Sequence, residues 1–426
     1  MKLTALRENE KCCVCGFSSL APILSLGELY FSDFIAGDSS SARHQKYPLE
    51  LVLCNKKDGG CGLVQLKHFV DHEFMYRQYW YRSGMNQTMT NELAGIAKSV
   101  AAIADLLSGD YVLDIGANDG TLLRSYAPDV QRIGFEPAKN LMPYAQKGTT
   151  RIFNEFFNAA DWQRAFGEKK AKAITAIAMF YDLPDPNKFV SDIASCLDND
   201  GVFVIQMAYL PSMLAQNAFD NICHEHLQYY SLLSLEYLLN RHNLEVFDVL
   251  LNDINGGSYR IYIRHQGKGN NLHIPQGADE RIHRLRLHES QLGLDERNIY
   301  DDFVKRVMGI KERLVGFIQA EKAKGKTVYI YGASTKGNTL LQFYNLNNSH
   351  ITAAAERNSD KWGRKTIGSE IPIVSEEEAR RRQPDYFLIL PWHFLKEFKQ
   401  RETEFFQRGG KFIVPLPRFE VIGKGR

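Results

Sequence analysis

The chain has 426 residues, with 52 lysines and arginines against 50 aspartates and glutamates, for a formal net charge of +2. So even a balance excludes bulk electrostatics as the means of holding nucleic acid or an anionic membrane, and no apolar run of about 18 residues is present to span a bilayer. The length predicts two or three domains. The opening MKLTALRENEKCC lacks the apolar stretch of a secretory signal, which predicts a cytoplasmic protein whose seven cysteines are free thiols or metal ligands.

Residues 1–75 form a block expected to be a small zinc-binding domain. Cys12 and Cys15 stand at C-x-x-C spacing ahead of Gly16, and Cys54 and Cys61 make a second pair. Two thiolate pairs suit tetrahedral Zn²⁺, and a block this poor in apolar mass needs such a staple. The second pair is wider than usual and encloses Asn55 to Gly60; Cys13 is an alternative ligand. The competing reading is four reduced, unliganded thiols. An aromatic run, Phe74 to Gly84, then leads into a helix predicted from Gln87 to Leu107. Its ordinary fate is packing between domains, but phenols also donate hydrogen bonds and carry protons, so Tyr76, Tyr79 and Tyr81 are candidate site residues.

Residues 76–270 are expected to form an α/β domain with a parallel sheet. Asp110 to Gly120 reads DYVLDIGANDG: a short apolar strand, a glycine turn at Gly116 to Gly120, and a helix start. Glycine lets a ligand approach the backbone, and a helix start offers free N–H groups. A second strand, Gln131 to Phe135, ends in Glu136, where a ribose diol is held in doubly wound sheets. Further strands are predicted at Arg151 to Phe153, Ala173 to Met179 and Gly201 to Met207, the last after a turn at Asp198 to Gly201. Ligands bind beyond the carboxyl ends of such strands, which adds Glu155 and Met179 to Asp114, Gly116, Asn118, Gly120 and Glu136 as candidate cofactor residues.

The run Phe219 to Ser231, FDNICHEHLQYYS, sets His224, Glu225 and His226 side by side. It is not H-E-x-x-H, so a helical zinc site is a poor reading; a general acid/base site competes with a polar loop held by its own hydrogen bonds. If the segment is extended, His224 and His226 share a face and Glu225 points away. Ala278 to about Lys322 reads as a charged helical connector. Residues 271–426 are expected to hold it and a second α/β unit. In that unit the strand Val328 to Tyr331 runs into GASTKGNT and a helix, a turn suited to a diphosphate. Ser334, Thr335, Lys336 and Asn338 are therefore substrate candidates, with a purely structural turn as the alternative.

D-x-G-x-x-x-G followed by Glu136 is similar to the first motifs of class I S-adenosylmethionine (SAM) methyltransferases rather than to the dinucleotide form G-x-G-x-x-G. Together with the cysteines, Cys61 to Leu66, Tyr79-x-Tyr81-x-Ser83, His224 to Leu227, Tyr229 to Ser231, Gly256-Gly257-Ser258-x-Arg260 and Gly332-Ala333, it resembles the sugar C-methyltransferases of deoxysugar biosynthesis across nearly the whole chain. The resemblance implies an N-terminal zinc-binding domain, a central class I SAM domain and a C-terminal Rossmann-like domain, with SAM and structural Zn²⁺ as cofactors. It implies methylation at C3 of a nucleotide-linked (dTDP, GDP or CDP) 4-keto-6-deoxyhexose through an enediolate. On this reading His226 is the base and Glu225 orients it or acts as a second proton carrier. His224, Tyr79 and Tyr81 stabilise the oxyanion or guide the sugar, and Ser258 and Arg260 lie on the substrate side. Two positions depart from the family pattern: Cys223 stands where many members carry Tyr, and Met179 to Pro184, with Asp182, replaces a loop that carries His. The alternatives are an O- or N-methyltransferase on the same scaffold and a non-catalytic SAM-binding protein.

Overall fold

The computed structural model describes residues 6–70 and 72–424. The described residues build three sheets of four or more strands. The central one has seven, in the order Leu244–Asn252, Ser258–His265, Leu197–Ala208, Ala171–Ile177, Tyr111–Ile115, Gln131–Phe135, Arg151–Phe153. Its strands are parallel except Ser258–His265, which runs antiparallel to both neighbours. From Tyr111–Ile115 the chain winds outward to Arg151–Phe153, then returns to the other side at Ala171–Ile177. The switch point, where such sheets open a crevice, thus falls at the end of the strand that carries Asp114. Leu197–Ala208 begins before the Asp198 to Gly201 turn expected from sequence; pairing of Ala171 with Leu197 draws that segment into the sheet.

Helix Gln87–Ala104 covers one face. Asn86 caps it by accepting the Met89 N–H at 3.2 Å, and Leu93, Ile96, Ala97 and Val100 form its buried stripe. The charged connector is two helices broken at Gly293, which has a left-handed φ of +66°. Ala278–Leu292 packs on the central domain, where Arg281 pairs with buried Asp248 at 2.8 Å. Arg297–Ala323 packs on the C-terminal sheet through Phe303, Val307, Ile310, Leu314 and Ile318.

The C-terminal sheet has six strands, in the order Ile373–Ser375, Ala353–Glu356, Val328–Tyr331, Tyr386–Leu388, Lys411–Val414, Glu420–Ile422, all parallel but the last. The N-terminal sheet joins Leu20–Tyr30, Lys46–Cys54 and Val64–Leu66, and its fourth strand is Gln228–Tyr229, supplied by the central domain just after His226. Phe34–Ala36 pairs with Arg364–Thr366 of the C-terminal unit. The N-terminal block is therefore bonded to both larger units. Among the described residues no helix is long and apolar enough to cross a membrane.

Candidate active site

The turn after Tyr111–Ile115 is built for close approach. Gly116 has φ +71°, and a Cβ on it would lie 3.2 Å from Met179 Cγ. Asn118, left-handed at φ +52°, donates its backbone N–H to Glu136 Oε2 at 2.7 Å, while Ala138 N–H reaches Oε1 at 2.8 Å. Asp114 accepts the Thr175 hydroxyl at 2.6 Å. Burial pushes both Asp114 and Glu136 up to about 7, against those hydrogen bonds. Both acids line one continuous cavity of ≈ 540 Å³ together with Gly116, Asn118, Glu155, Met179 and Asp182, a size usual for a small-molecule site. A sulfonium, an ammonium and a ribose diol would bring the positive charge and the donors that this acid-rich wall lacks, so the residues fit SAM. Glu155 sits exposed at the rim and pairs with Arg77 at 3.0 Å. Gly120 does not line the cavity: a Cβ there would meet Ala145 O at 2.8 Å, so this glycine serves packing.

The same cavity reaches Glu225 and His226. The segment is a turn, closed by His226 N–H to Cys223 O at 3.1 Å, and the two histidines diverge. His224 is a correction to the sequence reading. Its Nε2 lies 3.2 Å from Tyr47 O in the N-terminal sheet, and its ring packs edge-on against Phe31, so it braces the loop away from the cavity. His226 Nδ1 lies 2.8 Å from Asn221 O. A carbonyl can only accept, so Nδ1 carries the proton and Nε2 keeps its lone pair for the cavity. Burial, then the Lys336 charge, lowers His226 to about 3, so the imidazole is neutral. Tyr181 packs its ring 4.3 Å from His226, and Tyr76 donates to Glu225 O at 3.1 Å. Tyr79 and Tyr81 stand at the junction with a second cavity of ≈ 880 Å³.

Residues not singled out from sequence also face this space: Asp220, whose carboxylate accepts Trp392 Nε1–H at 3.2 Å, and His393. Asn221 works from beside it, through its carbonyl and side chain. Asp220 and Asn221 lie in the same run as His226, and His393 follows a strand end; those were their only signals. Asp182 Oδ1, Asp220 Oδ1, Glu225 Oε2 and His393 Nδ1 are buried without a hydrogen-bond partner among the described residues.

In the C-terminal turn, Ser334 caps helix Thr335–Tyr344 by accepting Gly337 N–H at 3.0 Å, and Ser334 and Thr335 line both cavities. Asn338 is a correction: fully buried, it donates to Asp33 O at 2.8 Å and cannot reach a diphosphate. Lys336 enters the His226 cavity, where its ammonium donates to Asn221 Oδ1 at 2.6 Å. Ser258 and Arg260 are likewise internal. Ser258 Oγ donates to Ile254 O at 2.8 Å, and Arg260 bonds Gln206 at 2.8 Å and Glu92 at 2.6 Å, and neither lines either of these two cavities.

The sulfurs of Cys12, Cys15, Cys54 and Cys61 lie within 4.8 Å of one another, with Cys12–Cys61 at 3.6 Å and Cys15–Cys54 at 3.4 Å. Ligands about 2.3 Å from a tetrahedral zinc stand roughly 3.8 Å apart, so the thiols fit a closed structural site. The wide second pair is folded back by Gly60, where a Cβ would lie 2.5 Å from Cys54 Sγ. Cys13 is not a fifth ligand; its thiol is turned to Gln228 and its N–H to Gln65 at 3.0 Å.

Fold and site define a SAM-dependent methyltransferase with a zinc-binding domain. The chain matches family models for a zinc binding domain at residues 12–76, a methyltransferase domain at 85–249 and a C-methyltransferase C-terminal domain at 253–417. It belongs to the sugar C-methyltransferase family: it is 30% identical to the C-methyltransferase NovU of Streptomyces niveus over 98% of each chain. Among solved structures it is similar to an S-adenosylmethionine-dependent methyltransferase from Clostridium acetobutylicum, at 12% identity and a TM-score of 0.34 over 42% of this chain and 92% of that one. It is also similar to the CcbJ methyltransferase from Streptomyces caelestis, at 13% identity and a TM-score of 0.34 over 44% and 94%.

Two expectations follow for the cofactor. Glu136→Ala should weaken SAM by about 1–3 kcal/mol, the cost of leaving hydrogen-bonding partners unmet, read by calorimetry; unchanged affinity removes Glu136 from the site. SAM affinity should also fall as pH drops through about 7, because Asp114 and Glu136 take up protons there and lose the charge that favours a cationic ligand. Glu136→Gln should flatten that dependence; an identical pH profile in this variant assigns it elsewhere.

Proposed function

We propose that the protein methylates C3 of a nucleotide-linked 4-keto-6-deoxyhexose through an enediolate. The observation that carries this is His226: a neutral imidazole with Nδ1–H tied to Asn221 O, so that Nε2 faces the cavity walled by Asp114 and Glu136. Bound SAM supplies an electrophilic methyl group. A carbon next to a ketone becomes a nucleophile only after losing a proton, and a positioned imidazole is the side chain suited to take it. Oxygen and nitrogen nucleophiles need less help, which leaves this buried base without a task in the O- or N-transfer reading.

The nucleotide is assigned to the larger cavity of ≈ 880 Å³. It joins the first at Tyr79, Tyr81, Ser334 and Thr335 and is walled by Arg357, Lys361, Arg364 and Arg401. Guanidinium groups suit phosphate oxygens, and Trp80 offers an aromatic face for a base. Tyr79 and Tyr81 then sit where the sugar passes between the two spaces.

The test is incubation with SAM and a panel of 4-keto nucleotide sugars in H₂O and D₂O, with products read by mass spectrometry. Exchange of the C3 hydrogen with methylation at C3 is the expected result. Methylation without exchange supports transfer to oxygen or nitrogen, and the absence of both supports a binding protein.

A further inference from the structure

Lys336 lies in the C-terminal unit, in the first turn of helix Thr335–Tyr344, yet its ammonium enters the cavity of the central domain. Asn221 holds both it and the base: the Asn221 backbone carbonyl accepts His226 Nδ1–H at 2.8 Å, and its side-chain Oδ1 accepts Lys336 Nζ–H at 2.6 Å. One residue therefore sets the separation of an imidazole lone pair and a cation. An ammonium has three donors, and among the described residues Asn221 is the hydrogen-bond partner of this one. No carboxylate among the described residues pairs with it within salt-bridge distance, although Asp182, Asp220 and Glu225 all feel its charge.

This matters because the cavity is otherwise hostile to negative charge. Asp182 Oδ1, Asp220 Oδ1 and Glu225 Oε2 all present unpartnered acceptors, and burial raises all three acids above the ordinary carboxylate range. A ketone oxygen that becomes anionic here needs a cation aimed at it, preorganised and shielded from water.

Resting on the reading of the site as a carbon methyltransferase, we infer that Lys336 is the electrostatic partner of the developing enediolate oxygen, so that the C-terminal unit completes the catalytic centre. In the step, the C3–H proton goes to His226 Nε2. The C–H electron pair becomes the C3=C4 bond, and the carbonyl π pair moves onto the C4 oxygen, where Lys336 donates a hydrogen bond. The electrons then return through C3 to the methyl carbon as its bond to sulfur breaks, with that bonding pair left on sulfur. His226 releases its proton to solvent. Proton transfer puts a positive charge on the ring and a negative charge on oxygen, so the repulsion of Lys336 for the imidazolium is offset by its attraction for the oxyanion.

The experiment compares the parent enzyme with Lys336→Gln and Lys336→Arg, using the 4-keto nucleotide sugar that the parent methylates. Solvent exchange of the C3 hydrogen is read in D₂O without SAM, together with kcat, KM and SAM affinity. Lys336→Gln should keep SAM affinity and KM within a few-fold and lose exchange and kcat together by about 10²–10³-fold, as removal of one oxyanion donor does. Lys336→Arg, which keeps the charge, should recover part of both, a rescue that guards against loss through misfolding. A raised KM with exchange and kcat unchanged overturns the assignment in favour of a diphosphate contact; loss in both variants alike overturns it in favour of loop bracing. If the parent itself exchanges no C3 hydrogen, the carbon-acid reading fails and this assignment fails with it. If the parent exchanges and Lys336→Gln exchanges equally fast, only this one fails.

Discussion

His226→Asn is expected to bind SAM and substrate as the parent does and to lose both C3 hydrogen exchange and methylation by about 10²–10⁴-fold, the usual worth of a positioned general base. The variant is chosen for its geometry. An asparagine amide places an N–H close to where His226 Nδ1 sits, so the bond to Asn221 O at 2.8 Å can survive while the Nε2 lone pair is removed. Tyr181, whose ring lies 4.3 Å from His226, keeps a planar neighbour. The base is weak in the free protein, because burial and Lys336 lower it to about 3. Such an imidazole needs help once protonated. The Asn221 carbonyl on Nδ1–H is placed to give it. The sign of the shift makes a second expectation: His226 is unprotonated far below its ordinary 6.5, so His226→Asn should lower kcat/KM evenly across pH 6 to 8 (roughly the range in which an unperturbed imidazole titrates) without erasing an acid limb near 6.5. Exchange at the parent rate in this variant moves the role to Glu225.

What could be read from sequence was what depends on near neighbours in the chain. A strand, a glycine turn and an acid at the tip of the next strand are local patterns, and Asp114, Gly116, Asn118 and Glu136 stand together for that reason. The four zinc thiols follow from pairing of spacings, although the wide second pair becomes intelligible only when Gly60 is seen against Cys54 Sγ. Side-chain direction was another matter. Nothing near His224 says that its ring nitrogen meets Tyr47 O from a different domain, and the shared face of His224 and His226 held only for an extended segment, where the structure has a turn. Lys336 looked like a phosphate ligand because its turn is of that kind. Its actual neighbour, Asn221, arrives from another unit. Asn338 and Arg260 were read as substrate-side residues, but bonds to Asp33 O and to Glu92 and Gln206 bury them. In each case a partner far away in sequence decided the orientation.

Cys54→Ser is expected to abolish stoichiometric zinc binding and, with it, catalysis, while leaving SAM affinity close to that of the parent. The thiols are far from any proton-transfer role, so the argument runs through backbone pairing. Cys54 ends the strand Lys46–Cys54, which pairs with Val64–Leu66, and that strand pairs with Gln228–Tyr229. Leu66 N–H also bonds Leu227 O at 2.8 Å, and His224 is held at Tyr47 O in the same sheet. The loop that presents His226 is thus anchored on both sides to the domain that carries the buried Cys12, Cys54 and Cys61. A structural zinc can contribute about 10–16 kcal/mol to such a domain, so its loss frees the anchor strands. Displacement of His226 by an ångström is enough for a loss of about 10²-fold or more. The SAM turn is built on a different sheet, around Tyr111–Ile115 and Gln131–Phe135, so calorimetry with SAM separates this effect from global unfolding. Metal analysis showing one zinc per chain in the parent and none in Cys54→Ser is the expected pair of results. Retention of zinc by the variant overturns the ligand set, and a zinc-free variant that exchanges the C3 hydrogen at the parent rate overturns the link from the metal to the base.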